Sequence, residues 1–172
     1  MPLLVVLAVA MYDFGSAFTF KHNLDSAARD AARIASTQHH PPDPAANDGC
    51  GTPASICVIR DIVASNLQAS IGDNCGLSTA SGSYDGGTTF SWTFTGTCPG
   101  TSLRIERAFL NPNTIILSDP FDDSHIYKIE NTRVTLIYSY TWQFNKVFRL
   151  LGANTNYLGS TITVTSTMQN LD

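Results

Sequence analysis

One feature constrains this chain more than any other: its first 37 residues contain no proline beyond Pro2 and no break in a helical pattern. Residues 1–20, MPLLVVLAVAMYDFGSAFTF, are apolar on every side of such a helix except for one carboxylate, Asp13. From Phe20 onward apolar residues recur every three or four positions, which gives the second half one apolar face. The pattern predicts a single helix over residues 3–37, on the order of 50 Å long.

The apolar run over residues 2–12 is too short to cross a membrane, because a span needs about 20 residues. Counting on through Asp13 to Phe20 gives nineteen residues, which reach about 28 Å and just cross a hydrocarbon core. A membrane span is therefore a marginal expectation. A secretory signal peptide fits less well, since no basic residue precedes the run and no small-residue cleavage site follows it.

Asp13 needs a partner, because a lone carboxylate in apolar surroundings costs several kcal/mol. Its own helix offers no cation within reach, since Lys21 lies two turns away, at about 12 Å. We therefore expect the partner to be a Lys, an Arg or a terminal amine of a neighbouring copy, where Asp13 would set subunit register. The alternative is that Asp13 caps a kink near Gly15 or reaches the membrane surface.

The rest of the chain reads as a separate head domain. Residues 38–51 form a linker rich in proline and glycine, which separates an assembly helix (1–37) from a head (52–172). Thr52 and Pro53 favour the start of a second helix, and Gly72 its end. Its apolar stripe is Ile56, Ile59, Val63 and Leu67.

Alternating apolar residues predict a sheet of about four strands after the second helix. Because one face of each strand is apolar and the other polar, the sheet is expected to be antiparallel with helices on its apolar side, an α+β fold. Residues 80–88 and 111–131 read as connections, with a short strand over TIILS, and are candidates for adhesion or subunit contacts. The predicted strands cover residues 88–95, 103–109, 134–142 and 162–168.

All four cysteines lie in or just before the head: Cys50, Cys57, Cys75 and Cys98. An even count after a membrane-like segment favours two disulfides in an oxidising compartment. Neighbours in sequence suggest Cys50 with Cys57 and Cys75 with Cys98, although three connectivities exist. Zinc binding is the alternative, but the chain has no C-x-x-C pair.

Binding to nucleic acid and catalysis both lack a sequence signal. The ten Lys and Arg residues are scattered singly, and the net charge is −4, so no basic surface can follow a phosphate backbone. The DFG tripeptide at residues 13–15 lies in an apolar helix without a glycine-rich loop before it, unlike that of a kinase. No nucleophile elbow or phosphate-binding loop is present. We expect no enzyme activity and no cofactor.

Two acidic or histidine clusters and one aromatic set have simpler explanations than ligand binding. His39 and His40 near Asp43 fit a solvated linker better than a metal site. The acidic cluster around Pro120 fits a turn better than a calcium loop, and we expect no metal; its members are Asp119, Asp122 and Asp123. The aromatic residues alternate along the strands, so core packing explains them better than a ligand platform; they are Phe90, Trp92, Phe94, Tyr138, Tyr140 and Trp142.

Both ends of the chain resemble one family. The apolar run, the Asp-Phe-Gly step at residues 13–15 and the repeat Ala-Ala-Arg at 27–29 and 31–33 are similar to the amino-terminal segment of the TadE/TadG-like pseudopilins of tight-adherence pili. Residues 133–172 are similar to that family's closing hairpin, an aromatic strand, a Leu-Gly loop and a Thr-rich strand. The family's precursors carry a prepilin-peptidase site and an early glutamate upstream of the apolar run. Here these either precede Met1 or are replaced by different processing.

The resemblance implies a structural subunit that polymerises through its first helix into an extracellular filament for surface attachment. Its partners would be copies of itself and, before assembly in the cytoplasmic membrane, the lipid bilayer. The alternatives are a minor or tip pseudopilin and a membrane-tethered binding module that never polymerises. The residues expected to form the assembly helix contacts are Leu3, Leu4, Leu7, Asp13, Phe14, Gly15, Phe18, Phe20, Leu24, Ala28 and Ala31.

Overall fold

The computed structural model describes residues 2–37, 55–86, 90–109, 117–119, 122–127, 131–140, 142 and 161–170. Two α-helices come first, α1 (Pro2–Ser36) and α2 (Ser55–Ile71), followed by a short 3-10 helix (Leu77–Thr79). The predictions about His39, His40, Asp43, Cys50, Thr52 and Pro53 lie outside the described residues. The strands are β1 (Gly82–Gly86), β2 (Phe90–Thr95), β3 (Ser102–Phe109), β4 (Leu117–Asp119), β5 (Asp122–Tyr127), β6 (Asn131–Ser139) and β7 (Thr161–Gln169).

The main sheet has five strands in the order β1-β2-β3-β6-β7, and each neighbouring pair is antiparallel. A separate hairpin pairs β4 with β5 and sets Asp119 opposite Asp122; Pro120, around which a turn was predicted, lies outside the described residues. The α+β class is confirmed. The predicted count of about four strands missed β1, because its sequence GSYDG reads as a loop and becomes a strand only by pairing with β2.

Helix α1 packs its second half against the sheet and against α2. The predicted face is buried, with Leu24, Ala28 and Ala31 fully covered. Because an alanine side chain ends at Cβ, the helix backbone approaches its neighbours closely. On the outer surface Arg29 pairs with Asp25 as predicted.

Helix α2 ends as its sequence predicts. Gly72 has φ of 83°, a left-handed conformation that glycine adopts without steric cost. Its N–H donates to the carbonyl of Gln68 at 3.1 Å. The predicted apolar stripe is buried throughout; its members are Ile56, Ile59, Val63 and Leu67.

An arginine fastens the far end of α1 to the sheet. Arg107 of β3 lies on the buried face and is 1% exposed. Its Nη2 donates to the main-chain carbonyl of Ala35 at 3.1 Å. Because the last carbonyls of a helix lack partners within the helix and carry partial negative charge, a buried guanidinium is well placed there.

The direction of α1 relative to the strands follows from two contacts. Arg107 lies near the start of β6, since Glu106 pairs with Arg133 of that strand, and it contacts the carboxyl end of α1. Tyr140, just after β6, contacts Asp13 near the amino end of the packed part. Helix α1 therefore runs opposite to β6 and in the same direction as β7.

Candidate assembly surface

The first half of α1 carries a row of large apolar side chains that the rest of the described chain leaves largely exposed. We call this row the exposed stripe. Successive members are separated by three, four, three and four residues, which is the spacing of a coiled-coil seam. They span about 21 Å along the helix. The members are Leu4, Leu7, Met11, Phe14 and Phe18, which are 63%, 46%, 67%, 57% and 75% exposed.

The exposed stripe has a sharp polar end. Beyond Phe18 the same side of α1 carries charged and polar residues, and Arg29 forms an ion pair with Asp25 there. An apolar partner can therefore cover this side of α1 only as far as Phe18. The residues that follow it on this side are Lys21, His22, Asp25 and Arg29.

A different side of the same helix faces the head. It starts at Asp13, which is 1% exposed, and continues through Ala17 and Phe20 to Leu24. The spacing of these residues is again four and three, so Asp13 occupies the first position of a stripe that is otherwise apolar. One helix thus carries two stripes, of which one is covered by its own chain.

The carboxylate of Asp13 lies in a small polar cluster. The hydroxyl of Tyr140 is 3.2 Å from Asp13 Oδ1 and 2.8 Å from Ser16 Oγ. Ser16 Oγ in turn donates to the main-chain carbonyl of Asp13 at 2.9 Å. A buried carboxylate that accepts a hydrogen bond avoids much of the cost of desolvation.

Asp13 has a hydrogen-bonding partner in its own chain, Tyr140, where we expected a cation from a neighbouring copy. The sequence could not reveal this contact, because Tyr140 is 127 residues away and reaches Asp13 only once β6 has folded over α1. A role of Asp13 in subunit register stays a prediction.

A row of aromatic rings links the head core to the exposed stripe. Ring centroids lie 5.3 Å apart for Tyr138 and Phe20, and 5.2 Å for Phe20 and Tyr140. The row continues from Tyr140 to Trp142 at 5.0 Å and from Trp142 to Phe14 at 5.5 Å. These edge and tilted contacts are favourable, and they hold α1 against the end of β6. The tyrosines and Trp142 of the predicted aromatic set thus pack against α1, as the core interpretation expected.

The two tyrosines of this row resist ionisation. Burial raises the pKa of Tyr138 above its ordinary value of 10.0, and the nearby negative charge of Asp73 raises it further. Burial also raises the pKa of Tyr140, and the charge and hydrogen bond of Asp13 add to this, while the hydrogen bond with Ser16 lowers it. Because the folded-state pKa is raised, the stabilising contribution of each neutral tyrosine is present below pH 10. It is lost as the pH rises through the raised pKa.

Replacing Tyr140 by phenylalanine tests this contact. At neutral pH Tyr140→Phe should lower the free energy of unfolding by about 2 kcal/mol, because a buried carboxylate loses a donor. Above pH 10 the difference from wild type should shrink, because wild type then loses the contribution that the variant never had. Urea unfolding at both pH values measures it, with Tyr84→Phe on β1 as the control. An unchanged difference would show that ionisation of Tyr140 is not linked to folding.

The head is cross-linked by the predicted disulfide between Cys75 and Cys98. Cys57 is also disulfide-bonded, and Cys50, its predicted partner, lies outside the described residues. Asp73 lies beside the Cys75–Cys98 bridge, but both sulfurs are bonded to each other and cannot bind metal as thiolates.

The other residues predicted for assembly differ in their surroundings. Leu24, Ala28 and Ala31 are fully buried against their own head, so a second copy cannot reach them in this structure. Gly15 lies in open space, since a Cβ added there would meet no atom within 4 Å. Leu3 lies in α1, but its side chain is outside the described set. Sequence reasoning missed Met11, although its position in the three-and-four spacing pointed to it.

A shallow polar groove lies between α1 and α2 and has a volume of about 240 Å³. The residues that line it offer amide, hydroxyl and carboxylate groups and include no aromatic ring. The groove is lined by Asn23, Ser26, Ala27, Asp30, Asn66, Ala69 and Ser70.

Fold and surface together define a class of protein: an α+β head carried on a long helix whose first half exposes an apolar stripe. Within the described residues no helix is both long and apolar enough to cross a membrane. Residues 1–33 match the family model described as TadE-like protein. This match confirms the resemblance to the TadE-like pseudopilins of tight-adherence pili for the amino-terminal segment. No curated protein and no solved structure matches the chain.

Proposed function

We infer that the protein is a structural, pilin-like subunit that polymerises through the exposed stripe into an extracellular filament for surface attachment. The observation that carries this function is the stripe itself. Five large apolar side chains stand in one row, and each is between 46% and 75% exposed. Burying such side chains is favourable by about 1.5–3 kcal/mol each, so the stripe has a strong tendency to be covered.

Helix α1 of a second copy is a better binding partner for the exposed stripe than a head domain or a small ligand. The three-and-four spacing is that of helices packing along a shared seam, and a neighbouring α1 supplies a matching row. The charged residues beyond Phe18 limit the seam to the first half of the helix, which leaves the heads outside. Before assembly, lipid would cover the same stripe, at the cytoplasmic membrane from which the filament grows.

The head would then decorate the filament surface. Among the described strands, β1 lies at one edge of the main sheet, and the hairpin of β4 and β5 is separate from that sheet. Surface connections of this kind tolerate change and often carry binding contacts. We assign adhesion or contacts between heads to residues 80–88 and to the hairpin of β4 and β5.

Electron cryo-microscopy of material sheared from producing cells tests the function. Repeating density with α1 helices bundled at the centre and heads outside would support a major subunit. Fibres that contain this chain only at one end would instead identify a minor or tip component. A chain that stays in the membrane fraction as a monomer would contradict polymerisation and leave a tethered binding module.

Gly15 provides a further test of assembly. It lies beside the exposed stripe, and no neighbouring atom of its own chain requires a glycine there. Gly15→Ala should stabilise the isolated subunit by about 1 kcal/mol, since alanine is the better helix former and meets no atom within 4 Å. The same methyl group should weaken assembly if helices approach closely at Gly15. Thermal unfolding in detergent and pelleting after detergent removal measure the two effects. Equal gains in both would exclude a close helix contact at this position.

A further inference from the structure

The two edges of the main sheet differ in a way that points to a second contact between chains. An open strand edge carries unpaired N–H and C=O groups and tends to pair with another strand, so natural edges are usually short, charged or interrupted. Strand β1 follows this rule, since it has five residues, a glycine at each end and Asp85. Strand β7 forms the other edge of the main sheet, because among the described strands it pairs only with β6. It has nine residues, with no charge and no proline.

The sequence of β7 is partly symmetric about its central residue: two of the four pairs of residues equidistant from the centre match, whereas Val164 corresponds to Ser166 and Thr161 to Gln169. Around Thr165 as the centre, Thr163 matches Thr167, and Ile162 matches Met168. Odd-numbered residues of the strand are exposed and carry hydroxyl or amide groups, whereas even-numbered residues are buried or half-buried. A contact across a two-fold axis needs such self-complementarity, because residue i meets j while j meets i.

We propose that β7 pairs with β7 of a second copy, antiparallel about a two-fold axis at Thr165, to form a continuous ten-stranded sheet. Directly opposite residues in an antiparallel pair share one face of the sheet. Of the registers that obey this condition, the one centred on Thr165 is the one that pairs all nine residues. On the outer face it places Thr163 opposite Thr167 and Thr161 opposite Gln169. On the face that α1 covers it places Ile162 opposite Met168 and Val164 opposite Ser166.

This pairing differs from the contact made by the exposed stripe. Helix α1 runs in the same direction as β7, so reversing the strand also reverses the helix. The two α1 helices of a β7 pair are therefore antiparallel, whereas subunits along one filament all point the same way. The β7 contact joins subunits of opposite polarity, either between filaments or before assembly, and it does not depend on the stripe.

Engineered cysteines on β7 test the register in the full-length chain held in detergent. In Thr165→Cys the two new side chains face each other, with Cβ atoms about 5 Å apart, and mild oxidation should link them. In the control Thr161→Cys, which is equally exposed, the two positions lie about 27 Å apart. We expect roughly tenfold more cross-linked dimer for Thr165→Cys than for the control. Equal or absent cross-linking of both variants overturns the proposal.

Opposite charges at the two-fold axis provide a second test. Thr165→Lys and Thr165→Glu should each be monomeric, because like charges meet directly at the axis. Mixing the two variants should restore the dimer, which sedimentation velocity detects. A mixture that stays monomeric, or a lysine variant that dimerises like wild type, overturns the proposal. Adding Phe18→Glu to Thr165→Cys should leave the cross-link unchanged, so failure of the β7 pair and failure of the stripe are distinguishable.

Discussion

Phe18→Glu should abolish filament assembly while leaving the subunit folded. Phe18 is 75% exposed, so the substitution removes no contact in the head, and the free energy of unfolding should change by less than about 0.5 kcal/mol. Assembly would bury the new carboxylate in an apolar seam, which costs several kcal/mol. This corresponds to a rise of at least about 100-fold in the concentration needed for assembly. Pelleting and electron microscopy after detergent removal measure it.

Tyr12→Glu is the matched control for this experiment. Tyr12 is 74% exposed and lies on the same half of α1, but it is outside the three-and-four spacing of the stripe. If the stripe is the seam, Tyr12→Glu should assemble almost normally, whereas Leu7→Glu should fail as Phe18→Glu does. If all three variants fail equally, every side of the helix is buried in the fibre and the seam interpretation is wrong. If all three assemble, the first half of α1 is not the assembly surface.

The regular elements could be predicted because their patterns are local. The three-and-four spacing of α1 and α2 and the strict alternation in β2 and β6 each depend on neighbouring residues alone. Strand β1 could not be predicted, since its five residues include two glycines and its extended form depends on the register with β2. Alternation along β3 puts Arg107 on the same face as Leu103 and Ile105, but its contact with Ala35 depends on where α1 ends.

The assembly surface was only partly predictable for a related reason. The first half of α1 is apolar on all sides, so the sequence alone cannot tell which side faces the head. That choice is made by the end of β6, where Tyr140 and Trp142 reach α1. Because the side with Asp13 and Phe20 packs against the head, the large apolar residues on the other side form the exposed stripe. The residues predicted furthest along the helix, such as Leu24, turned out to belong to the core.

Removing the disulfide between Cys75 and Cys98 should destabilise the head without removing the stripe. The bridge links residues 23 apart, and in the chain-entropy account a loop of this size is worth about 3 kcal/mol. For the double variant Cys75→Ala with Cys98→Ala we therefore expect the midpoint of thermal unfolding to fall by about 6–12 °C. The sulfur of Cys75 also lies 3.1 Å from the hydroxyl of Tyr138, so the aromatic row should loosen at its head end.

A second variant separates the effect of the disulfide on stability from the effect of the backbone conformation at Cys75. Cys75 has φ of 49°, a left-handed conformation that costs a residue with a side chain about 1–2 kcal/mol. With Cys98→Ala in both, Cys75→Gly should therefore be more stable than Cys75→Ala by about 1 kcal/mol, provided that the turn keeps its shape without the bridge. Equal stabilities would show that the bridge itself imposes the turn. Because neither variant alters the exposed stripe, both should still assemble at low temperature. Loss of assembly at temperatures where the head is still folded would instead show that the aromatic row transmits the state of the disulfide to the stripe.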